Sequence, residues 1–256
     1  MLIGESGSGK STLIRSVLGL LGNDGDIVQG EILFDGTRLP IKNEKEMRVI
    51  RGKHISIILQ NPDRFLDPLF SIETQYHEAL SVHSPTHRKE SRLRAMELFQ
   101  QLGFSSPQDV LRKRPFELSG GMCQRAAIAI AMANTPRLLL ADEPTSALDV
   151  ASQKDVMELL KSIQKKRGTT ILLVTHNMSI VSRYADEVGI MYHGHLVEWG
   201  DCKEVLNDPR HAYTQMLLDA VPHLDGRLPD VRHPMREVLS IGSEMQYISE
   251  RHCYLG

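Results

Sequence analysis

The stretch that decides the fold of this chain is Gly4-Glu5-Ser6-Gly7-Ser8-Gly9-Lys10-Ser11, which is followed by a helix-compatible run. It matches the pattern G-x-x-x-x-G-K-[ST], whose glycines let successive backbone N–H groups turn inward around phosphate oxygens. Lys10 is then placed to reach the β- and γ-phosphates of a nucleotide, and the Ser11 hydroxyl to ligate Mg²⁺. The alternative is a Gly/Ser-rich linker that contains GKS by chance, but a helix does not follow a linker. The stretch therefore predicts a P-loop.

Two short, continuously apolar runs further along the chain are predicted to be buried strands. They are residues 138–141 and 170–174, and the segment between them, 151–167, has helical length and charge spacing. A β-α-β order with strands buried on both faces is typical of a parallel sheet. We therefore expect an α/β core.

A helical insertion interrupts this core. From Asn61 to Glu117 the buried strand runs vanish and charged, helix-forming segments replace them. A strand that closes in an Asp35-Gly36 turn is predicted over 30–36. A hairpin is predicted over 187–199 and a short helix over 212–220. The predicted domains are an ATP-binding α/β core at 1–60 and 119–205, an inserted helical subdomain at 61–118, and a C-terminal extension at 206–256.

Two adjacent acidic residues, Asp142 and Glu143, follow the apolar run 138–141. Ligand chemistry collects at the carboxyl ends of strands in open α/β sheets, and two adjacent acids there are costly as structural residues. In the functional interpretation, Asp142 ligates Mg²⁺, directly or through water, and Glu143 is the general base that orients and deprotonates an attacking water. In the alternative interpretation, the pair caps the helix that begins near Ser152.

His176 and Gln60 follow two other predicted strands. His176 comes just after the run 170–174, and Gln60 ends the strand at 55–59. An imidazole in this place can contact a γ-phosphate and sense its presence, although a lone histidine after a strand is more often a surface or capping residue. Gln60 is placed to touch Mg²⁺ or the attacking water, but an isolated glutamine does not by itself indicate a functional site.

A second helix start suited to anions lies at Ser119-Gly120-Gly121, ahead of the helical run 124–133. A serine cap followed by glycines leaves an exposed helix N-terminus that attracts negative charge. One nucleotide needs only one cradle of the P-loop kind, so this second helix start predicts contact with a nucleotide held by another copy. We therefore expect a dimer with ATP at its interface.

Composition narrows the class of protein further. The 256 residues include 30 basic and 32 acidic side chains, and the formal net charge of -2 gives no electrostatic reason to expect nucleic acid as a partner. The 3 cysteines are far apart and form no CxxC pair, which argues against disulfides and zinc and favours a cytoplasmic chain. No apolar run approaches the ~20 residues that cross a bilayer.

Together these motifs resemble the ABC ATPase family. They occur in the order GESGSGKST, Gln60, LSGGM, LLLADE, Ser146-Ala147-Leu148-Asp149 and His176, and the resemblance covers nearly the whole chain. The resemblance implies a P-loop NTPase (RecA-like) parallel-sheet core of the ABC ATPase type with an inserted helical subdomain. It also implies two such domains that close head to tail around two ATP molecules and reopen on hydrolysis.

The resemblance assigns a role to individual residues. It implies ATP contacts from Gly4, Glu5, Ser6, Gly7, Ser8, Gly9, Lys10, Ser11 and Thr12, and in trans from Ser119, Gly120 and Gly121. It implies Mg²⁺ ligation by Ser11, Gln60 and Asp142, catalysis by Glu143, His176 and Gln60, and coupling of the two sites by Asp149.

Within the family, the chain is similar to the subgroup that serves dipeptide, oligopeptide and nickel importers. The similarity is carried by Asn61-Pro62 after Gln60, by LSGGM in place of LSGGQ, and by His211-Ala212-Tyr213-Thr214, which resembles HPYT. It implies a peripheral subunit at the cytoplasmic face of the inner membrane that energises an importer for peptides or nickel/metal chelates. The implied partners are a second ABC ATPase subunit in a homo- or heterodimer, two transmembrane permease subunits and, indirectly, an extracytoplasmic solute-binding protein. The alternatives are a truncated, catalytically impaired paralogue and a non-transport ABC ATPase.

Both ends of the chain depart from the family pattern. Relatives have strands and an adenine-stacking aromatic upstream of the P-loop, and only Met1-Leu2-Ile3 precedes it here. We expect an incomplete N-terminal antiparallel β-subdomain, through truncation or a misplaced start. Relatives also often carry a cysteine-rich C-terminal segment, of which only Arg251-His252-Cys253 is present. An iron-sulfur cluster needs about four thiolates, so no iron-sulfur cluster is expected.

Overall fold

A computed structural model describes residues 1–22 and 25–220 of the chain. These residues form two compact units. Unit 1 contains residues 1–13, 21–39 and the described residues from 175 onward, and unit 2 contains residues 14–20 and 40–174.

The described residues form short strands and helices. The strands are β1 (Leu2–Ile3), β2 (Leu33–Phe34), β3 (Thr37–Arg38), β4 (Ile55–Ile58), β5 (Leu138–Asp142), β6 (Thr170–Thr175), β7 (Glu187–Tyr192) and β8 (His195–Asp201). The helices are α1 (Lys10–Val17), α2 (Glu44–Ile50), α3 (Pro62–Phe65), α4 (Ile72–Ser81), α5 (Arg88–Gln101), α6 (Pro107–Arg112), α7 (Gly120–Ala131), α8 (Val150–Arg167), α9 (Met178–Tyr184), α10 (Cys202–Asn207) and α11 (Ala212–Asp219).

Unit 2 is built on the parallel strands β4, β5 and β6. Ile58 of β4 pairs with Ala141 of β5, and Asp142 at the end of β5 pairs with Val174 of β6. All five residues of β5 are buried, because the strand has a neighbour on each side and helices on its faces. The helix α8 joins β5 to β6 and ends at Gly168, whose φ of 65° suits the left-handed C-cap. The predicted β-α-β order is confirmed.

The segment between β4 and β5 is helical, as its charge pattern predicts. Within the described stretch from 59 to 137 no strand occurs, and the helices α3 to α7 follow one another. Their apolar faces meet around Phe99, whose ring centroid lies 6.4 Å from that of Tyr76 and 5.1 Å from that of Phe104. The Arg125 guanidinium lies 4.9 Å from the Phe104 ring centre, which adds a cation–π contact. The exact boundaries of the subdomain, 61–118, remain a prediction.

Unit 1 contains β1, the β7–β8 hairpin and the last helices that the structure describes. Strand β1 pairs in parallel with β7, with Leu2 opposite Gly189, and β7 pairs antiparallel with β8. The predicted hairpin is confirmed, and its turn places His193 and Gly194 at φ values of 45° and 83°. The core of unit 1 contains a cluster of fully or nearly buried residues: Ile3, Val181, Val188, Ile190, Cys202, Val205 and Tyr213. The burial of Tyr213 in this cluster ties α11 to β1 and the hairpin.

The strand predicted over 30–36 is shorter than its apolar pattern suggests. Only Leu33 and Phe34 form β2, which pairs with β3 through the Asp35-Gly36 turn. Both turn residues have positive φ, 52° and 70°, as a two-residue hairpin requires. Among the described residues, no helix has the length and apolar character needed to cross a membrane.

Candidate active site

The P-loop connects β1 to α1 in unit 1. Strand β1 ends at Ile3 and α1 begins at Lys10, so the loop's glycines lie between a strand and a helix N-terminus as the motif requires. Gly7 and Gly9 have φ values of 83° and 97°, a region that glycine adopts without a Cβ clash. Inside the loop, the Ser8 N–H donates to the Glu5 carbonyl at 3.2 Å. Ser11 and Thr12 lie in the first turn of α1, so their backbone N–H groups point toward the helix start, where an anion would be favoured.

The Lys10 side chain folds back over this loop. Its Nζ donates to the carbonyl oxygens of Gly4 and Glu5, both at 2.7 Å, and to the Ser8 hydroxyl at 3.2 Å. Lys10 is only 6% exposed, so these acceptors compensate part of the cost of burying its charge. Phosphate oxygens are stronger acceptors for an ammonium than neutral carbonyls are. The loop residues therefore fit a nucleotide phosphate.

The turn of the β7–β8 hairpin packs against the P-loop within unit 1. The Gly194 N–H donates to the Ser8 carbonyl at 3.1 Å. A Cβ atom on Gly4 would lie 2.2 Å from the Met191 carbonyl oxygen, which is closer than a non-bonded carbon and oxygen can approach. A Cβ atom on Gly9 would lie 3.6 Å from the Gly194 Cα. The approach of β7 thus requires glycine at position 4.

The acidic pair lies at the carboxyl end of β5 in unit 2. Asp142 is the last residue of the strand and is 9% exposed. Glu143 follows with a φ of 47°, a conformation uncommon for a residue with a side chain. Its backbone is fixed on both sides, because its N–H donates to the Val174 carbonyl at 2.9 Å and its carbonyl accepts from Ser146 N–H at 3.2 Å. Strained backbone held in this way is frequent at functional sites.

Gln60 contacts Glu143 directly. The Gln60 Nε2 donates to the Glu143 Oε2 at 3.1 Å, although the two residues are 83 positions apart. Gln60 follows β4 and Glu143 follows β5, and the parallel register of these neighbours brings their carboxyl ends together. The sequence placed each residue at a strand end but did not reveal the hydrogen bond between them.

The helix after the acidic pair has its own cap, Asp149. The Asp149 carboxylate accepts from the Ser152 N–H at 3.0 Å and from the Ser152 hydroxyl at 2.7 Å. These hydrogen bonds lower the pKa of Asp149 below its ordinary value. The alternative that Asp142 and Glu143 cap α8 is therefore wrong, because that position belongs to Asp149.

The Ser119-Gly120-Gly121 segment begins α7 as predicted. The Ser119 hydroxyl accepts from the Met122 N–H at 3.4 Å and serves as the N-cap. A Cβ atom on Gly121 would lie 3.3 Å from the Ser152 Oγ, so the helix start approaches the beginning of α8 closely. Ser152, which donates two hydrogen bonds to Asp149, thus packs against Gly121 within unit 2.

His176 is exposed and follows β6. The local capping is carried out by its neighbour, because the Asn177 side chain accepts from the Ser179 N–H at 3.0 Å and caps α9. The Asn177 N–H in turn donates to the Thr175 hydroxyl at 3.0 Å. The capping alternative for His176 therefore has no support, since Asn177 is the residue that caps this helix.

A magnesium ion would have a limited set of protein ligands here. Among the described residues, no three His, Cys, Asp or Glu side chains form a cluster that could hold a metal ion by themselves. Mg²⁺ commonly binds through one or two protein ligands together with substrate phosphates and water. The Ser11 hydroxyl of unit 1 and the Asp142 carboxylate of unit 2 are each, taken singly, a donor of the type that Mg²⁺ accepts. Cys253, on which the prediction about an iron-sulfur cluster depends, lies outside the described residues.

One contact to the P-loop was missed at the level of sequence. The Tyr213 hydroxyl, on α11, accepts from the Glu5 N–H at 3.1 Å. The only sequence signal was the likeness of His211-Ala212-Tyr213-Thr214 to HPYT, which names a subgroup but gives no partner for the tyrosine.

A P-loop on a parallel α/β sheet, with a buried lysine and an acidic pair after a core strand, defines a P-loop nucleotide-binding protein. Residues 1–146 match the family described as ABC transporter, and residues 197–243 match the family described as Oligopeptide/dipeptide transporter, C-terminal region. The chain belongs to the ABC transporter family of ATP-binding proteins.

Individual relatives agree with the family match. The oligopeptide transport ATP-binding protein OppD of Bacillus subtilis (strain 168) is 41% identical over 245 residues, which cover 91% of this chain and 68% of that protein. The dipeptide transport ATP-binding protein DppD of Escherichia coli (strain K12) is 40% identical over 221 residues, which cover 86% of this chain and 68% of that protein. The chain thus spans about two thirds of the length of each relative.

The fold is also found among solved structures. A dimeric ATP-binding cassette in a post-hydrolysis state, bound to ADP and Pi, matches with a TM-score of 0.68 at 28% identity, over 78% of this chain and 84% of that chain. The predictions of an ABC ATPase fold, of the peptide-importer subgroup and of an ATPase coupled to transport are confirmed at the level of the family.

Proposed function

We propose that this chain hydrolyses ATP to drive an ABC importer for oligopeptides or dipeptides. The observation that carries the hydrolytic role is the hydrogen bond of 3.1 Å between Gln60 and Glu143 after two adjacent core strands. It places an amide and a carboxylate together at the edge of the sheet where α/β proteins bind their ligands. The peptide class is supported by the match of residues 197–243 to the C-terminal region of oligopeptide/dipeptide transporters.

The P-loop binds the ATP phosphates in this proposal. The loop from Gly4 to Ser11 and the adjoining Thr12 supply backbone N–H groups. Lys10 keeps the Gly4 carbonyl as an acceptor and exchanges the Glu5 carbonyl and the Ser8 hydroxyl for β- and γ-phosphate oxygens. The Ser11 hydroxyl and Asp142, directly or through water, would hold Mg²⁺, with Gln60 as a further oxygen ligand. When bound, the ion would supply positive charge to neutralise the phosphates during transfer.

Glu143 is the general base in this proposal. Its carboxylate accepts the proton of the attacking water, and Gln60, which is within hydrogen-bond distance of that carboxylate, keeps it oriented. The fixed backbone at Glu143 supports this role, since a base must be held in position relative to the water. His176 contacts the γ-phosphate and reports its presence.

Dimer formation completes the proposed cycle. Ser119, Gly120 and Gly121 begin a capped helix suited to an anion, and we assign them to the γ-phosphate of an ATP held by a partner ATPase. Asp149 couples the two sites, since it holds Ser152, which packs against Gly121. The partner is either a second copy or a paralogue, and the dimer acts beneath two permease subunits fed by a solute-binding protein. The corresponding location is the cytoplasmic face of the inner membrane.

The other functions considered have less support. The relatives described above are named for oligopeptide and dipeptide transport, which favours peptides over nickel or metal chelates. Lys10, Asp142 and Glu143 are all present, which argues against a catalytically impaired paralogue. The match of residues 197–243 to a transporter region argues against an ABC ATPase outside transport.

The first test is ATP turnover by the purified chain, alone and mixed with a co-encoded ABC ATPase, with Glu143→Gln as the blank. Turnover above the blank supports the hydrolytic role, and turnover that requires the second ATPase identifies a heterodimer. Reconstitution with the permease subunits and the solute-binding protein then tests the substrate class. Stimulation by short peptides and not by nickel supports peptide import. Absence of ATP binding and turnover in every mixture contradicts the proposed function.

A further inference from the structure

The Tyr213 side chain is fixed by its surroundings in unit 1. It is completely buried, and its ring lies 4.1 Å from the Tyr192 ring, at a tilt of 33°. Burial raises the pKa of Tyr213 above its ordinary value, so the hydroxyl is neutral at neutral pH. A neutral, immobile hydroxyl is a suitable acceptor for a backbone N–H.

The helix that carries Tyr213 is anchored at its start. The Glu198 carboxylate of β8 accepts from the backbone N–H groups of Arg210 at 2.9 Å and His211 at 3.1 Å. The His211 Nδ1 accepts from the Tyr213 N–H at 3.1 Å and caps α11. The position of Tyr213 is therefore set by β8 and by the helix cap.

The group that Tyr213 contacts is the peptide unit between Gly4 and Glu5. Its N–H donates to the Tyr213 hydroxyl at 3.1 Å. Its carbonyl, that of Gly4, accepts from the Lys10 Nζ at 2.7 Å. Because a peptide unit is planar, fixing its N–H also fixes the direction of its carbonyl oxygen. One rigid group thus joins Tyr213 to the phosphate-binding lysine.

We propose that Tyr213 is a positioning residue for the P-loop: its hydroxyl orients the Gly4–Glu5 peptide and thereby Lys10 for the ATP phosphates. Hydrogen bonds in such a chain polarise and strengthen one another. Through these hydrogen bonds, helix α11 sets the geometry of the P-loop. This inference rests on the proposed function, since it assumes that Lys10 binds ATP.

The test is the equilibrium dissociation constant for ATP of the Tyr213→Phe chain, measured well below its melting temperature. The substitution removes one oxygen and keeps the ring against Tyr192. Loss of a single hydrogen bond of ordinary strength predicts an affinity about 2- to 10-fold weaker than that of the wild type. Tyr192→Phe is the matched control, because it removes a hydroxyl from the neighbouring ring of the same stack, and its ATP affinity stays at the wild-type value.

Amide hydrogen exchange provides a readout that general destabilisation does not reproduce. The Glu5 N–H exchanges faster in Tyr213→Phe than in the wild type and the control, while the amides of β7 keep their protection. A second variant, Glu198→Gln, weakens the hydrogen bonds that anchor α11 and keeps tyrosine at position 213. We expect it to weaken ATP binding in the same direction and to a smaller extent.

The outcomes separate this inference from the proposed function. If the wild-type chain binds no ATP, both are contradicted. If the wild type binds ATP and Tyr213→Phe binds it equally well, only the positioning role of Tyr213 is overturned. A lower melting temperature with unchanged ATP affinity has the same meaning, because it leaves Tyr213 with a structural role alone.

Discussion

The Gln60 amide donates a hydrogen bond to the Glu143 carboxylate at 3.1 Å, across 83 positions of the chain. The two residues follow β4 and β5, whose parallel pairing places Ile58 beside Ala141. The amide restrains the rotamer of the Glu143 carboxylate, so the proposed base is oriented before ATP arrives.

Glu143→Gln tests the general base. We expect ATP affinity to stay within a few-fold of the wild type and turnover to fall by roughly 10² to 10⁴, because the amide cannot accept the proton of the water. Single-turnover hydrolysis and nucleotide binding measure the two effects separately. Glu158→Gln, on the exposed side of α8, is the control for loss of a carboxylate. An unchanged rate in Glu143→Gln would show that another group is the base.

Gln60→Leu tests the orientation of that base. The substitution removes a hydrogen bond of about 1 kcal/mol, which predicts a turnover about 5- to 10-fold slower with little change in ATP affinity. The double variant with Glu143→Gln decides how Gln60 acts. If Gln60 works through Glu143, the double variant is no slower than Glu143→Gln alone, whereas additive losses would refute the coupling.

Lys10→Ala tests the phosphate contact. The ammonium donates hydrogen bonds to Gly4, Glu5 and Ser8 within the loop, and Lys10 is 6% exposed. Its removal takes away the main positive charge that the loop itself contributes. Loss of charge-assisted hydrogen bonds predicts ATP affinity weaker by roughly 10- to 100-fold or more. Titration with ATP measures the change, and Lys53→Ala, an exposed lysine, is the control. Wild-type affinity in Lys10→Ala would remove the lysine from the proposed site.

Gly4→Ala tests the close approach of the P-loop to β7. The added Cβ would meet the Met191 carbonyl oxygen at 2.2 Å, so one of the two segments must move. Overpacking of this kind costs about 1 to 3 kcal/mol, and the thermal midpoint should fall by several degrees. Gly120→Ala is the control for stability, because the nearest atom to its added Cβ, on Leu148, lies at 4.0 Å. Equal midpoints for the two variants would show that β7 does not confine Gly4.

His211 gives the stability of the chain a dependence on pH. Burial lowers the pKa of His211 below its ordinary value of 6.5, while the nearby Glu198 carboxylate acts in the opposite direction. As the pH falls, the unfolded chain therefore binds this proton before the folded chain does, and folding stability declines below a pH of about 6.5. Protonation of Nδ1 also removes the acceptor that caps α11.

His211→Asn keeps a capping side chain and removes the titration. We expect the thermal midpoints of wild type and variant to be similar above a pH of about 7.5 and the wild type to fall behind as the pH is lowered. The measurement is the thermal midpoint of both proteins across this pH range. Curves that stay parallel would show that His211 does not cause the pH dependence of stability.

Many local features of this protein could be predicted from the sequence, because they depend on residues close together in the chain. The P-loop between a strand and a helix is recognised by its glycines, and the N-cap at Ser119 by the residues that follow it. The acidic pair after β5 follows from an apolar run of strand length. The strand at 30–36 was overestimated, since only Leu33 and Phe34 find a partner strand, and pairing is not a local property.

The tertiary structure alone decided which distant groups meet. The register of β4 and β5 brings Gln60 to Glu143, and the packing of α11 brings Tyr213 to Glu5 across 208 positions. The packing of α7 against α8 likewise places Ser152 beside Gly121. Motif spacing fixes which chemical groups the chain carries. Strand register and helix packing, which depend on contacts between remote segments, determine how those groups are oriented.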